Sequence, residues 1–366
     1  MKEDSLLKNK QRLTGIALLV VGFFLGNLFR PMVAPGPAVA PAPPAPAPIR
    51  WVIQTTFPTG SPAFPKYLRW AQDVTAKSAG RLEITLHPTG TVVPLMEVKA
   101  AVARGSLDGG IGWGPFWRGI DPVLSLACGQ TSGLDAMEFF SWLHHHGGLE
   151  LIREAYARHN IHFIPGIPGT PEIFLWAHRP IRTLADLAGL KVRAAGFSLD
   201  TFTRLGVTAT FMPGADTPPA LLTRVVDAGE FAALFADVAM GFADAAKFAM
   251  VGPRAPVVYE DLIINGDRWR ALPPDLQMLV TSTMISHGLR GHTAYVRLDS
   301  EAMATAKARG VTFVRVSDEL ANVFRTTLDK ILDEQAAGNP AFARIWESLK
   351  AFRTQHRQTK ATLYPW

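Results

Sequence analysis

Two spacings of apolar residues succeed each other along most of the chain, one with a period of two and one with a period near 3.6. Residues 50–54 form a short expected strand, and a helix is expected from Pro65. Tyr67, Ala71, Val74 and Ser78 keep one face of that helix small or apolar until Gly80 stops it. Leu82, Ile84 and Leu86 then alternate with Arg81, Glu83 and Thr85, the pattern of a half-buried strand. Strand, helix and strand in that order predict a parallel pair with a right-handed crossover, and hence an α/β class. A second such unit follows, with a helix over 96–104, a turn at Gly105 and a strand within 107–113. Met137, Phe140, Trp142 and Leu143 start a long helix that breaks at Gly147-Gly148 and resumes through Leu149, Ile152 and Tyr156. Beyond a strand at 161–164, the run 173–177 is apolar throughout, as in a sheet covered on both faces.

Residues 184–231 carry the densest pattern: helix, strand, helix, strand, helix. Thr183 is expected to cap a short helix with Asp186 at its third position, and Gly189 ends it. Lys191 to Ala194 alternates as a strand, so Arg193 stands at a strand end; Gly196 breaks the strand and Ser198 is expected to cap the next helix. A guanidinium there lies where open α/β sheets meet their ligands. A strand over 208–212 then enters the turn Pro213-Gly214, and a helix leads to Val225-Val226-Asp227-Ala228-Gly229-Glu230-Phe231.

The chain closes with a strand at 262–265, a helix opened by Pro273-Pro274, and an alternating strand at 311–316, which together are expected to rebuild the first lobe. Leu320, Val323, Phe324, Leu328, Ile331 and Leu332 make a helical stripe, interrupted at Asn339-Pro340. A last amphipathic helix uses Phe342, Ile345, Trp346, Leu349 and Phe352.

This order of residues resembles the extracytoplasmic solute-binding proteins of TRAP transporters, the DctP-like family. Lys191, Arg193 and Gly196 match a K-x-R-x-x-G strand end; Pro213, Gly214, Asp216, Ala220 and Leu221 match a P-G-x-E-x-x-x-A-L turn and helix; Val226, Asp227, Ala228, Glu230 and Phe231 match V-D-A-x-E-W. FPTGSPAFP, GRLEITLHPTGTVVP, SWLHHHGGLELIREAYA, LPPDLQ and IWESLKAFR are most similar to the branch that binds 2-oxo acids and related monocarboxylates beside a metal ion. The similarity runs from about residue 49 to the C-terminus.

The resemblance implies a two-lobed, periplasmic-binding-protein-like α/β fold with a ligand cleft between the lobes and long C-terminal helices. One lobe is expected to combine about 49–165 with 255–310, the other to span about 166–254, and the C-terminal helices to fill 317–366. It also implies that Arg193 grips the carboxylate of a small organic acid, with Glu172, Phe231 and Trp113 at the ligand. Glu172, Glu230 and the carbonyl of Phe231 are the implied ligands of a Ca2+ or Na+ ion. The chain departs from the family pattern at several positions, among them Ala233-Leu234-Phe235 where the family has G-P-Y. Glu172 stands where the branch usually has glutamine, Phe231 replaces tryptophan, and Ala255 stands where a further glutamate is common. Implied partners are the TRAP membrane permease and a second copy of the chain, packed through the C-terminal helix; packing of that helix on its own lobe is the alternative.

Composition places the 366-residue chain among globular proteins with one appended hydrophobic segment, and its formal charge of +6 is divided evenly about Arg30, so no nucleic-acid surface is expected. Residues 1–12 are basic on balance and 13–29 form an uncharged apolar run, the layout of an export signal. A run of this length also suits a membrane anchor, for which ~17–25 residues are needed. Ala34, Ala40 and Ala47 are each followed by proline, which favours an uncleaved anchor over cleavage. Residues 31–48, PMVAPGPAVAPAPPAPAP, make a polyproline II spacer, either a disordered leader or a stalk of roughly 50 Å. The expected location is the periplasm.

Other candidate chemistry is thin. Gly110-Ile111-Gly112-Trp113-Gly114 lacks the G-x-G-x-x-G spacing, and a pocket wall with Trp113, Phe116 and Trp117 is the better reading. His144, His145 and His146 are adjacent on a helix and point three ways, so they cannot share one metal. Cys128 is the single cysteine and excludes an internal disulfide. No G-x-S-x-G, H-E-x-x-H, P-loop or C-x-x-C is present, so no enzyme activity is expected. The alternatives are a membrane-tethered receptor that reports ligand to a signalling partner and, further off, a metal-assisted lyase using Arg193 with Glu230.

Overall fold

The computed structural model describes residues 47–363, so the expected signal or anchor over 1–30 and nearly all of the 31–48 spacer lie outside the described residues. The period-two runs form β1 (Ile49–Thr55), β2 (Leu82–His87), β3 (Gly109–Gly112), β4 (Ile161–Pro168), β5 (Leu175–Ala177), β6 (Lys191–Arg193), β7 (Thr208–Thr210), β8 (Ala228–Gly229), β9 (Phe248–Val251), β10 (Tyr259–Asn265) and β11 (Thr312–Arg315). They divide between two sheets, ordered β2-β1-β3-β10-β4 and β11-β9-β5-β8-β6-β7. β1 pairs parallel with β2 and β3, as the strand-helix-strand order predicts, whereas β10 is antiparallel to both its neighbours.

Successive side chains on a strand face opposite ways, and each sheet has a core on both faces. On β10, Leu262 and Ile264 join Trp51, Ile53 and the Phe64–Lys77 helix, while Ile263 joins Phe163, Trp142 and the C-terminal helices. On β9, Met250 packs with Val192, Phe202 and Phe324, and Ala249 with Trp176, Phe242 and Ala306.

An antiparallel ribbon joins the sheets. Pro168 pairs with Tyr259, Gly169 N donates to Val258 O at 2.7 Å, Glu172 N to Ala255 O at 3.0 Å, and Phe174 N to Met250 O at 2.9 Å. The Pro274–Ala308 helix, about 52 Å long at 1.5 Å per residue, runs beside that ribbon. Its first half buries Leu276, Val280 and Met284 on the first sheet, and its second half buries Ala302 and Ala306 on the other.

That helix explains one correction. The strand at 311–316 does not rebuild the first lobe: β11 pairs parallel with β9 in the second sheet, because the helix has carried the chain across the molecule before β11 begins. A second correction concerns the last helix, Pro340–Leu363. Phe342, Ile345, Trp346, Leu349 and Phe352 are buried in the chain's own core with Leu124, Phe139 and Leu332, so this stripe is not free to cover a second copy. Its polar rim is tied down as well, with Arg353 Nη1 and Nη2 at 3.0 and 2.7 Å from the Asp329 carboxylate. A third correction is local. Ser198 does not cap its helix, which already starts at Gly196 with no side-chain cap.

Candidate functional site

Arg193 ends β6, and β8 runs beside it, so the chain following β8 delivers Glu230 and Phe231 next to the guanidinium. Arg193 is 3% exposed. Its Nε and Nη2 each donate to Met212 O at 3.0 Å, and Nη1 donates to Glu230 O and lies 3.5 Å from Glu230 Oε2. Burial lowers the pKa of Arg193 from the ordinary arginine value, against the opposing pull of Glu230, yet a guanidinium stays charged in proteins. The strand end, the turn at Met212-Pro213 and the β8 segment thus converge on a fixed positive charge. Phe231 flanks it, its ring centre 5.7 Å from the guanidinium carbon. The Phe231 ring is also stacked on Phe242 with centroids 6.0 Å apart. Gly214 lets the ring approach this closely, since a Cβ there would lie 2.0 Å from it.

Glu172 and Glu230 do meet, and the group between them is one that sequence reasoning missed. Arg254 Nη1 lies 2.6 Å from Glu172 Oε2 and 3.0 Å from Glu230 Oε2. Its Nε and Nη2 both donate to Ile173 O at 3.1 Å, and the side chain is fully buried. Glu230 Oε1 accepts from Ala195 N at 2.7 Å, which ties the carboxylate to the start of the next helix. Two guanidiniums and two carboxylates therefore sit together at the ribbon between the sheets. Burial pushes Glu172 up to about 7 even though Arg254 pulls it down. Arg254 is held above the ordinary arginine value; burial opposes this, but the charges of Glu172 and Glu230 outweigh it.

The loop after β3 contributes the opposite wall. Gln130 Nε2 reaches Glu172 Oε2 at 3.5 Å. Gly196, at φ +59°, is the point where this wall meets the end of β6. A Cβ there would lie 3.4 Å from Gln130 Oε1 and 3.6 Å from the Trp113 ring. Trp113 is half-buried, edge-on to Phe116 with centroids 5.1 Å apart. Arg118 crosses from this loop to the helix that follows β6, donating to Gly196 O at 2.8 Å and pairing with Asp200. Arg193, Glu172, Glu230, Phe231 and Trp113 are thus brought to one region, and Arg254 and Gln130 join them. A signal for Arg254 was its place beside Ala255, the position already matched to a ligand residue of the family. His144 to His146 take no part; His144 stacks on Phe140.

Two α/β sheets joined by a ribbon, with paired buried charges at the joint, place the chain in the two-lobed binding-protein class. The chain belongs to the DctP family, the bacterial extracellular solute-binding proteins of family 7, whose model matches residues 53–339. It is 29% identical over 308 residues to a monocarboxylate 2-oxoacid-binding periplasmic protein of Nostoc sp., a match that covers 84% of this chain and 85% of the relative. A TRAP periplasmic solute-binding protein from Pseudoalteromonas atlantica, solved with bound sodium and pyruvate, superposes with a TM-score of 0.81 at 25% identity, covering 87% of this chain and 97% of the other. One from Colwellia psychrerythraea, with bound calcium and pyruvate, gives a TM-score of 0.81 at 25% identity over 86% and 97%. Family 7 is a family of extracytoplasmic solute receptors.

The metal ions in those relatives raise a question of fit. Calcium takes six to eight oxygen ligands at about 2.3–2.6 Å. Here the two carboxylate oxygens expected to anchor such an ion share the nitrogen of Arg254 instead. Among the described residues no group of three or more His, Cys, Asp or Glu is placed to hold a metal ion.

Proposed function

We propose that the chain captures a small organic acid, a 2-oxo acid or similar monocarboxylate, outside the cytoplasm and delivers it unchanged to the membrane permease of a TRAP-type transporter. The observation that carries this reading is the buried arginine at the end of β6, held by the Met212 and Glu230 carbonyls beside a half-buried aromatic wall. A carboxylate ligand supplies the negative charge that such a guanidinium attracts, and a planar donor fork favours a planar acceptor. The 2-oxo acid class is supported by the Nostoc relative and by the pyruvate in two relatives.

In this reading residues 1–30 direct export. Lobes at about 49–165 with 255–310, and 166–254, close on the ligand about the ribbon that carries Glu172 and Arg254. A thermal-shift screen of the purified full chain against pyruvate, other 2-oxo acids, lactate and dicarboxylates tests it. A ligand at 100 times its dissociation constant stabilises by about 2.7 kcal/mol, so a 2-oxo acid is expected to raise Tm by several degrees and dicarboxylates to have little effect. A chain stabilised by none of the acids would overturn the reading.

A further inference from the structure

We propose that Arg254 is the built-in cation of this site: its guanidinium does the work of the sodium or calcium ion held by the pyruvate-bound relatives, and the chain takes its carboxylate ligand without a metal. The inference rests on the proposed function in taking the ligand to be an organic acid.

The geometry carries it. A bridging cation must contact an oxygen from each of Glu172 and Glu230, and Arg254 Nη1 already does so at 2.6 and 3.0 Å. The nitrogen is not free to leave, because the other edge of the same guanidinium is fixed by two 3.1 Å bonds to Ile173 O and the side chain has no exposed surface. It cannot surrender its charge either, since arginine is not deprotonated in proteins. A metal ion entering between the carboxylates would meet a positive charge within van der Waals contact. Arg254 is also set by the fold: its residue lies on the ribbon, one position before Ala255, whose carbonyl accepts from Glu172 N at 3.0 Å. The same ribbon thus carries one acid and its counter-charge on opposite strands, and Glu230 arrives from the second lobe.

Glu172 and Glu230 carry −2 when ionised and Arg193 and Arg254 carry +2, while burial pushes the neighbouring Asp237 carboxyl up toward its neutral form. A metal ion would have to compete for the two carboxylates with guanidiniums already in contact with them. Replacing the ion by a guanidinium on the chain keeps the carboxylates separated and oriented while leaving Arg193 to meet the ligand.

Calcium and pyruvate are the probes. The purified full chain, dialysed against calcium and then desalted, is expected to carry well under 0.1 calcium per chain by elemental analysis, and millimolar calcium or sodium is expected to leave its Tm unchanged. Pyruvate affinity by calorimetry is expected to agree within twofold in sodium-free buffer with excess EGTA, in sodium and in calcium. One calcium per chain, or a tenfold loss of affinity in EGTA, would overturn the proposal. The calcium readout needs no ligand, so absence of pyruvate binding would count against the proposed function while the metal question is still decided. The triple variant Glu172→Gln, Arg254→Ala, Ala255→Glu removes the guanidinium and supplies oxygen donors around Glu230. It is expected to gain calcium-dependent stabilisation; no gain in a folded variant would argue that Arg254 does not stand in for the ion.

Discussion

Acidic side chains are buried both on β10 and at the ribbon, and the two regions solve the same problem differently. On β10, Asp261 is fully buried and Glu260 partly so, and each is capped by a tyrosine: Tyr156 OH donates to Asp261, and Tyr67 OH donates to Glu260 Oε2 at 2.6 Å. Among the described residues no ion pair reaches Asp261, and burial pushes both acids up to about 8. At the ribbon, Glu172 and Glu230 are held by Arg254 and Arg193 instead. A neutral cap suits an acid that only has to be packed, because it satisfies the group without importing charge. At the ribbon the carboxylates are met by fixed positive charge instead, and that contrast is what the proposed ligand site rests on.

The largest effect that would break this contrast is expected from Arg254→Ala. It leaves two buried carboxylates short of a counter-charge and should cost about 3–5 kcal/mol. Denaturant titration should show that loss, and adding Glu172→Gln should recover part of it; a change under 1 kcal/mol would place Arg254 outside the charge balance. Tyr156→Phe strips the cap from Asp261, whose Oδ1 already lacks a partner. About 1–3 kcal/mol should be lost, with affinity for the organic acid unchanged.

The pH profile sharpens the contrast further. Asp261 and Glu172 are raised above ordinary carboxylate values of about 4, so the folded state holds more protons and stability falls as pH rises. The fall should run from about pH 4 to about 8 for Asp261 and to about 7 for Glu172. Asp261→Asn should flatten the first component in thermal melts, and Glu172→Gln, among its neighbours Arg254, Glu230 and Gln130, the second. Profiles identical to wild type would show that neither acid is perturbed. The smallest effect belongs to Arg118→Ala. Its pair with Asp200 is partly exposed, so about 0.2–1 kcal/mol is expected, visible mainly as weaker ligand affinity through looser lobe closure.

Much of the framework was legible because local patterns decided it. The strand-helix-strand unit at the start, the glycine stops and the strand end at Arg193 each follow from a few neighbouring residues. Sheet membership did not, since alternation at 311–316 predicts a strand but not that a 35-residue helix would first carry it to the second sheet. The burial of the last helix on its own chain stood only as the alternative to a second copy, because an apolar stripe fits any apolar partner. Arg254 was hidden for a different reason. Within VGPRAP it is flanked by Gly-Pro and Ala-Pro, the signature of an exposed turn. Only the pairing of the two ribbon strands takes it out of water. Glu172, Glu230 and Arg193 could be singled out from the resemblance, but what holds the two acids apart is a contact between residues 82 positions apart in sequence.

The central claim is that Arg193 carries the ligand's carboxylate in a site that needs no metal. Calorimetric titration of pyruvate into the wild-type chain and into Arg193→Lys, both in sodium-free buffer with excess EGTA, tests it most directly. Lysine keeps the charge but loses the planar fork. The account predicts one pyruvate per wild-type chain and a more than hundredfold weaker affinity in Arg193→Lys. Equal affinities, or binding in wild type that appears only when calcium is restored, would contradict it.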